Sequence, residues 1–312
     1  MYNYRLQLQY DGGRYDGWVR MGKDSNSNTI ECKIKEIIQK MTGEDIDIYV
    51  GCRTEKGVHA LNQTANFKLN DKYQPVEVKN YLNRYLPRDI AVNRVELVDE
   101  RFHSQLNARE KTYVYKIDMA NVANVFTRKY AYHTFDIPDI KAMKQAAFYM
   151  IGKHDFKAFT TAKKSKSTVR DIKDIEITTD GDSCEIRITA DDFLHNMARY
   201  MIGMLLDVGS GLKKVEDVEN IMAGKDVVMS LPAESYGLFL EHTGLRRLIP
   251  VLSAVHGKKA PVHGKSVSGR FPTAGGYHFA SALKEWYIKI RYLKGKTVHP
   301  GISLPVHGNT GH

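Results

Sequence analysis

The residues best suited to chemistry sit together in one short run, Gly51-Cys52-Arg53-Thr54-Glu55-Lys56-Gly57-Val58-His59-Ala60. It follows Ile46, Ile48 and Val50, whose alternation reads as a strand ending at Gly51. Loops that leave a rigid strand commonly carry binding and catalytic groups. Glu55 offers a carboxylate that can act as nucleophile or base. Arg53 offers a guanidinium that can orient the acid or bind phosphate. On its own the run fits an exposed salt bridge better than an active site.

Regular elements surround this run. Tyr4, Leu6, Leu8 and Tyr10 alternate with polar residues, the period of a half-buried strand, and Asp11-Gly12-Gly13 breaks it. Ile30, Ile34, Ile37, Ile38 and Met41 follow helical spacing, with Thr29 as cap and Gly43 as stop. Strand patterns cover Gln63 to Leu69 and Asp89 to Val98, and Val76, Val78, Tyr81, Leu82 and Tyr85 mark a helix between them. The first hundred or so residues thus read strand-helix-strand-strand-helix-strand, a ferredoxin-like unit.

The next segment echoes this order. Tyr113 and Tyr115 begin a strand, and Ile140, Met143, Ala147, Met150 and Ile151 share a helical face. Val169 to Thr178 and Cys184 to Ala190 are strand-like, split by an Asp-Gly-Asp turn. Phe193 to Val208 predicts a methionine-rich helix. The fold class is therefore α+β, with two similar halves at 1–105 and 106–245 and a different tail at 246–312.

Charge separates the tail from the rest. Of the 46 lysines and arginines, 11 lie from Arg246 onward, against one of the 36 acids, Glu285. The net charge of +10 thus belongs to the tail, and the body is balanced. A basic tail suits a polyanion, because phosphate neutralisation releases counterions; a solvated tail without a role is the plain alternative. The tail also holds 9 of 24 glycines and 6 of 12 histidines, with Val-His-Gly at 255–257, 262–264 and 306–308. It reads as loosely structured, and its histidine spacing lacks a metal-ligand pattern.

Three dispersed cysteines, Cys32, Cys52 and Cys184, fit free thiols in a reducing cytoplasm rather than a disulfide framework or zinc site. The chain lacks an apolar run of membrane-spanning length, and its start reads as strand rather than signal peptide.

The run around Glu55 resembles the Gly-Arg-Thr-Asp-Ala-Gly-Val-His motif of the tRNA pseudouridine synthase A family. Other stretches match that family in order: Tyr10-Asp11-Gly12 with Gly17-Trp18, Gln63-Thr64-Ala65-Asn66-Phe67, Leu86-Pro87-Arg88-Asp89-Ile90 and Phe102-His103. Lys111-Thr112-Tyr113-Val114-Tyr115, Gly152-Lys153-His154-Asp155-Phe156 as a helix end and loop, Thr168-Val169-Arg170, Phe193 to Arg199 and Gly237-Leu238-Phe239-Leu240 continue the series. Many motifs in one order and spacing make the resemblance specific over about 240 residues.

The resemblance implies a continuous, mainly antiparallel sheet with helices on one side and a central RNA-binding cleft. It implies an isomerase that turns uridine into pseudouridine in the anticodon arm of tRNA, with no cofactor and no metal, working as a homodimer. The uracil is detached from its sugar and rejoined through carbon, so the base must leave the stack. By residue match, Glu55 stands for the catalytic aspartate, Tyr113 stacks on the uracil, and Arg199 pairs with the acid. Arg53 helps extrude the base or touches phosphate, and Leu238 walls the pocket. Lys163, Lys164 and Lys166 form a basic stretch suited to phosphates, or else an ordinary solvated loop.

Several positions depart from the family pattern. Glu55 adds a methylene to the expected aspartate, Lys56 replaces a small residue, Ser104-Gln105 replaces Ala-Arg, and Val19 and Met21 replace glutamines. A second reading is therefore a catalytically impaired family member that binds or folds RNA. A third, an unrelated sheet-based RNA binder, lacks the aromatic signature of that class.

Overall fold

Period-two burial shapes the centre of the protein. In a computed structural model, which describes residues 1–19, 28–161 and 167–245, Tyr4, Leu6 and Leu8 are fully buried along β1 (Tyr2–Tyr10). Their intervening neighbours are less buried, as alternating side chains on a pleated strand require. Helix α1 (Ile30–Thr42) follows, opened by the Thr29 hydroxyl accepting from the Cys32 amide and closed by Gly43 at φ 77°. Then come β2 (Ile48–Val50), β3 (His59–Leu69), α2 (Pro75–Tyr85) and β4 (Ile90–Val98). Ile34 and Ile38 of α1 and Val78 and Leu82 of α2 join the β1 side chains in one buried cluster. Each such side chain contributes roughly 1.5–3 kcal/mol when fully buried.

A short α3 (Ser104–Asn107) leads into β5 (Ala108–Asp118) and β6 (Tyr132–His133). The chain continues through α4 (Ile140–Phe148), β7 (Gly152–Asp155), β8 (Val169–Asp180), β9 (Ser183–Ala190), α5 (Met197–Gly209), α6 (Val215–Met222) and β10 (Leu238–Leu245). The main path of the ten-stranded sheet is β4-β1-β3-β10-β5-β9-β8-β7, with β2 on β3 and β6 on β5. Pairing is antiparallel except at β3–β10 and β5–β6. The architecture is thus the expected α+β arrangement with a large open sheet.

The last strand is the one that matters for the site. β10 lies between β3 and β5, pairing Phe239 with His59 and Leu240 with both Ala60 and Tyr113. It therefore brings the end of the Gly51–Ala60 run beside the strand that carries Tyr113.

Three details differ from the sequence reading. The helix expected from Phe193 begins only at Met197, because Asn196 adopts a left-handed backbone (φ 62°) that interrupts helical geometry. Gly152–Asp155 is a strand on β8 instead of a helix end and loop. Residue spacing predicts neither β6 nor α6; α6 is only eight residues long. Lys163, Lys164, Lys166, Met21 and the 246–312 tail lie outside the described residues. Among the described residues no helix is long and apolar enough to cross a membrane.

Candidate active site

The Glu55 loop is held by a network of buried polar groups. Gln63, on β3, donates from Nε2 to the Cys52 carbonyl at 2.7 Å and to the Tyr10 hydroxyl at 3.2 Å. The Tyr10 hydroxyl lies 2.7 Å from Thr54 Oγ1, and the Trp18 amide donates to the Thr54 carbonyl at 3.0 Å. Beyond Glu55 the chain turns: the Val58 amide donates to the Glu55 carbonyl at 3.1 Å, and Gly57 has φ 77°. A Cβ at Gly57 would also meet Ser235 Oγ at 2.4 Å, so only glycine fits there. His59 is buried, and burial lowers its pKa against the Asp11 carboxylate 3.0 Å from its Nδ1. Its Nδ1 accepts from the Gly12 amide at 3.0 Å and its Nε2 donates to the Tyr236 carbonyl at 3.1 Å. The run is therefore tied to the first loop on one side and to the approach to β10 on the other.

Glu55 lines a cleft of about 620 Å³, within the usual range of ligand sites. Arg53, Gln105, Lys111, Tyr113, Phe193 and Leu238 line the same cleft. One Glu55 oxygen, Oε1, accepts a short hydrogen bond from the Asn196 amide. His195 Nδ1 stands 3.8 Å from that oxygen. The other, Oε2, is buried with no hydrogen-bond partner among the described residues, and Arg199 Nη1 is 4.0 Å away. Arg199 is engaged elsewhere: its Nε donates to the Ala233 carbonyl at 2.7 Å and its Nη1 to Asn196 Oδ1 at 3.3 Å. Burial raises the Glu55 carboxyl above its ordinary value, against the Asn196 amide and the His195 and Arg199 charges.

The expected residues other than Lys163, Lys164 and Lys166 lie at or beside the cleft. Tyr113 is buried on the cleft wall, its hydroxyl 3.1 Å from Cys52 Sγ and its ring edge-on to Phe193 at 5.1 Å. Burial pushes its phenol well up, so it keeps its proton. Leu238 is buried at the cleft. Arg53 is exposed at its rim and makes no ion pair or hydrogen bond from its side chain among the described residues. Arg199 approaches Glu55 but meets it only at the edge of ion-pair range. Lys56 points to the exterior, pairing with Asp16 at 3.1 Å, so its charge does not crowd the acid.

Residue spacing marks no role for Asn196, His195 or the ion pair of Lys111 with Asp192, which all face this cleft or Glu55. Strand alternation held a usable signal for one of them. Lys111 is two residues before Tyr113 on β5 and so shares its face. Nothing comparable marks a backbone amide such as that of Asn196.

Comparison with known proteins fits this geometry. The sequence profile described as tRNA pseudouridine synthase matches residues 8–107 and 146–244. The chain belongs to the tRNA pseudouridine synthase family. A Bacillus cereus protein named tRNA pseudouridine synthase A 2 is 44% identical over 245 residues, covering 78% of this chain and 99% of that protein. A tRNA pseudouridine synthase A from Bacillus sp. strain KSM-64 is 46% identical over 242 residues, covering 77% and 98%. A tRNA pseudouridine synthase A 1 from Clostridium tetani is 44% identical over 239 residues, covering 75% and 96%. Within the tRNA pseudouridine synthase match fall Arg53, Glu55, Arg199 and Leu238; Tyr113 falls between its two segments.

Proposed function

We propose that this protein is a tRNA-uridine isomerase that makes pseudouridine in the anticodon arm, with Glu55 as the reacting carboxylate. The observation that carries the proposal is the state of Glu55. One oxygen is pinned by a backbone amide, and the other is buried beside a cleft without a hydrogen bond among the described residues. Buried polar atoms without partners are exceptional, and perturbed acids in clefts cluster at functional sites. The extra methylene of glutamate is accommodated by the Asn196 amide, which gives the longer side chain a fixed end point.

In this reading Tyr113 is the platform for the extruded uracil and Leu238 the apolar wall. Arg199 is the cation that favours the ionised acid, and Arg53, exposed at the rim, meets phosphate or wedges the duplex. Lys163, Lys164 and Lys166 and the basic tail add phosphate contacts. The halves 1–105 and 106–245 act as duplicated units, and the protein works in the cytoplasm as a homodimer that spans one tRNA. Relatives named as synthases at 41–46% identity favour turnover over a binding-only role.

The test is release of tritium from C5-labelled uridine in unmodified tRNA transcripts. Turnover at an anticodon-arm uridine supports the proposal; absence of product from every tRNA, with RNA binding intact, contradicts it.

A further inference from the structure

We infer that Lys111 and Asp192 together read the Watson–Crick edge of the extruded uracil, Asp192 accepting from N3–H and Lys111 donating to a flanking carbonyl oxygen. The inference rests on the isomerase reading above and adds how that site selects its base.

Both residues line the same cleft as Glu55 and Tyr113. Lys111 is buried and its Nζ forms a short ion pair with Asp192 Oδ1. An ammonium has three donors, and no other partner of Lys111 is recorded among the described residues. Asp192 Oδ1 also accepts from the Phe193 amide at 2.8 Å, whereas Oδ2 accepts no hydrogen bond among them. The Asp192 side chain is 49% exposed, so that free oxygen is open to a ligand. The pair therefore presents one free acceptor beside free donors. Burial pulls the Lys111 ammonium down, yet it is held above its ordinary value beside the Asp192 carboxylate that it pairs with.

Uracil presents N3–H as a donor between the O2 and O4 acceptors. Cytosine presents an acceptor at N3 beside a donor at N4. A carboxylate next to an ammonium matches the first pattern and opposes the second. Position agrees as well: Lys111 and Tyr113 share one face of β5, about 7 Å apart along the strand. A base lying against Tyr113 thus extends toward Lys111.

The chemistry gives this edge a particular value. In the isomerisation the N1–C1′ bond breaks and a C5–C1′ bond forms, while C5 loses a proton and N1 gains one. The detached ring turns half a revolution about the N3–C6 axis to bring C5 where N1 was. That turn leaves N3–H in place and exchanges O2 with O4. An acceptor on N3–H with a donor on the flanking carbonyl therefore holds the ring equally well before and after it turns.

The test uses a tRNA stem-loop carrying uridine or 3-methyluridine at the target position, mapped first with the wild-type protein. The methyl group removes the N3 donor and leaves both carbonyls. Wild type should prefer uridine by roughly 10⁴-fold in kcat/KM, as sites built to hydrogen-bond a substrate group do. Asp192→Ala should lower kcat/KM on uridine about 10- to 100-fold, the loss of a charged hydrogen bond, with little change on the analogue. The preference then narrows by the same factor. Asp192→Asn, which keeps an acceptor oxygen, should retain most of the preference, and Lys111→Met/Asp192→Ala should show the narrowed preference of Asp192→Ala with a further, equal loss of kcat/KM on both RNAs, since each keeps the carbonyl that Lys111 meets. Because the readout is a ratio on one preparation, partial unfolding does not mimic it. Equal losses on both RNAs, leaving the preference unchanged, would show the pair to be structural and overturn the inference alone. A wild-type protein inactive on every tRNA would overturn the isomerase reading and this inference with it.

Discussion

The carboxylate of Glu55 accepts a hydrogen bond from the backbone amide of Asn196, 141 residues further along the chain. The bond exists because Asn196 takes a left-handed conformation just before α5 and turns its amide toward the loop. A left-handed backbone disfavours residues with a Cβ other than asparagine and aspartate. Both Asn196→Gly and Asn196→Ala lose the side-chain bonds to Arg199 and Thr161. They differ only in backbone preference, so Asn196→Ala should be less stable than Asn196→Gly by about 1 kcal/mol in urea unfolding.

The buried state of Glu55 predicts an unusual pH dependence. Its folded pKa is raised above the ordinary 4.5, so folding favours the protonated form. That contribution to stability is fully present below 4.5 and is lost as pH rises through the raised folded value. Glu55→Gln cannot ionise, so it should be more stable than wild type near neutral pH, with the gain vanishing in acid. Urea unfolding at about pH 4 and about pH 8 checks both ends. In the proposed reaction the ionised acid reacts, so the rising limb of the activity profile should have its midpoint above 4.5. Arg199→Met removes a cation 4.0 Å from Glu55 and should move that midpoint to higher pH.

Gly57 predicts a purely steric effect. With φ 77° and Ser235 Oγ 2.4 Å from an added Cβ, Gly57→Ala must strain the backbone and displace a neighbour. The expected loss is about 1–3 kcal/mol of stability. Gly57→Ala/Ser235→Gly should recover the part due to contact, measured as the unfolding midpoint.

Much of this was legible in the chain itself. Tyr4, Leu6 and Leu8 announce β1 by alternation, and Thr29 and Gly43 bound α1 by capping chemistry. Glu55, Arg53, Tyr113 and Leu238, far apart in the chain, line one cleft. What stayed hidden depends on backbone geometry and long-range contact. The Phe193-Leu194-His195-Asn196 stretch carries apolar spacing, yet the φ of Asn196 starts the helix at Met197. Gly152–Asp155 becomes a strand because β8 offers it an edge, not because of its own composition. The direction in which Asn196 points its amide has no periodic signature at all.

The proposed function puts the chemistry on the Glu55 carboxylate. The most direct measurement is tritium release from C5-labelled uridine in tRNA by wild type and Glu55→Gln, with RNA affinity measured on the same preparations. Glu55→Gln keeps an oxygen for the Asn196 amide and nearly the same shape but cannot act as nucleophile or base. The account predicts a loss of at least about 10³-fold in turnover with RNA affinity within a few-fold of wild type. Turnover by Glu55→Gln at the wild-type rate would contradict it.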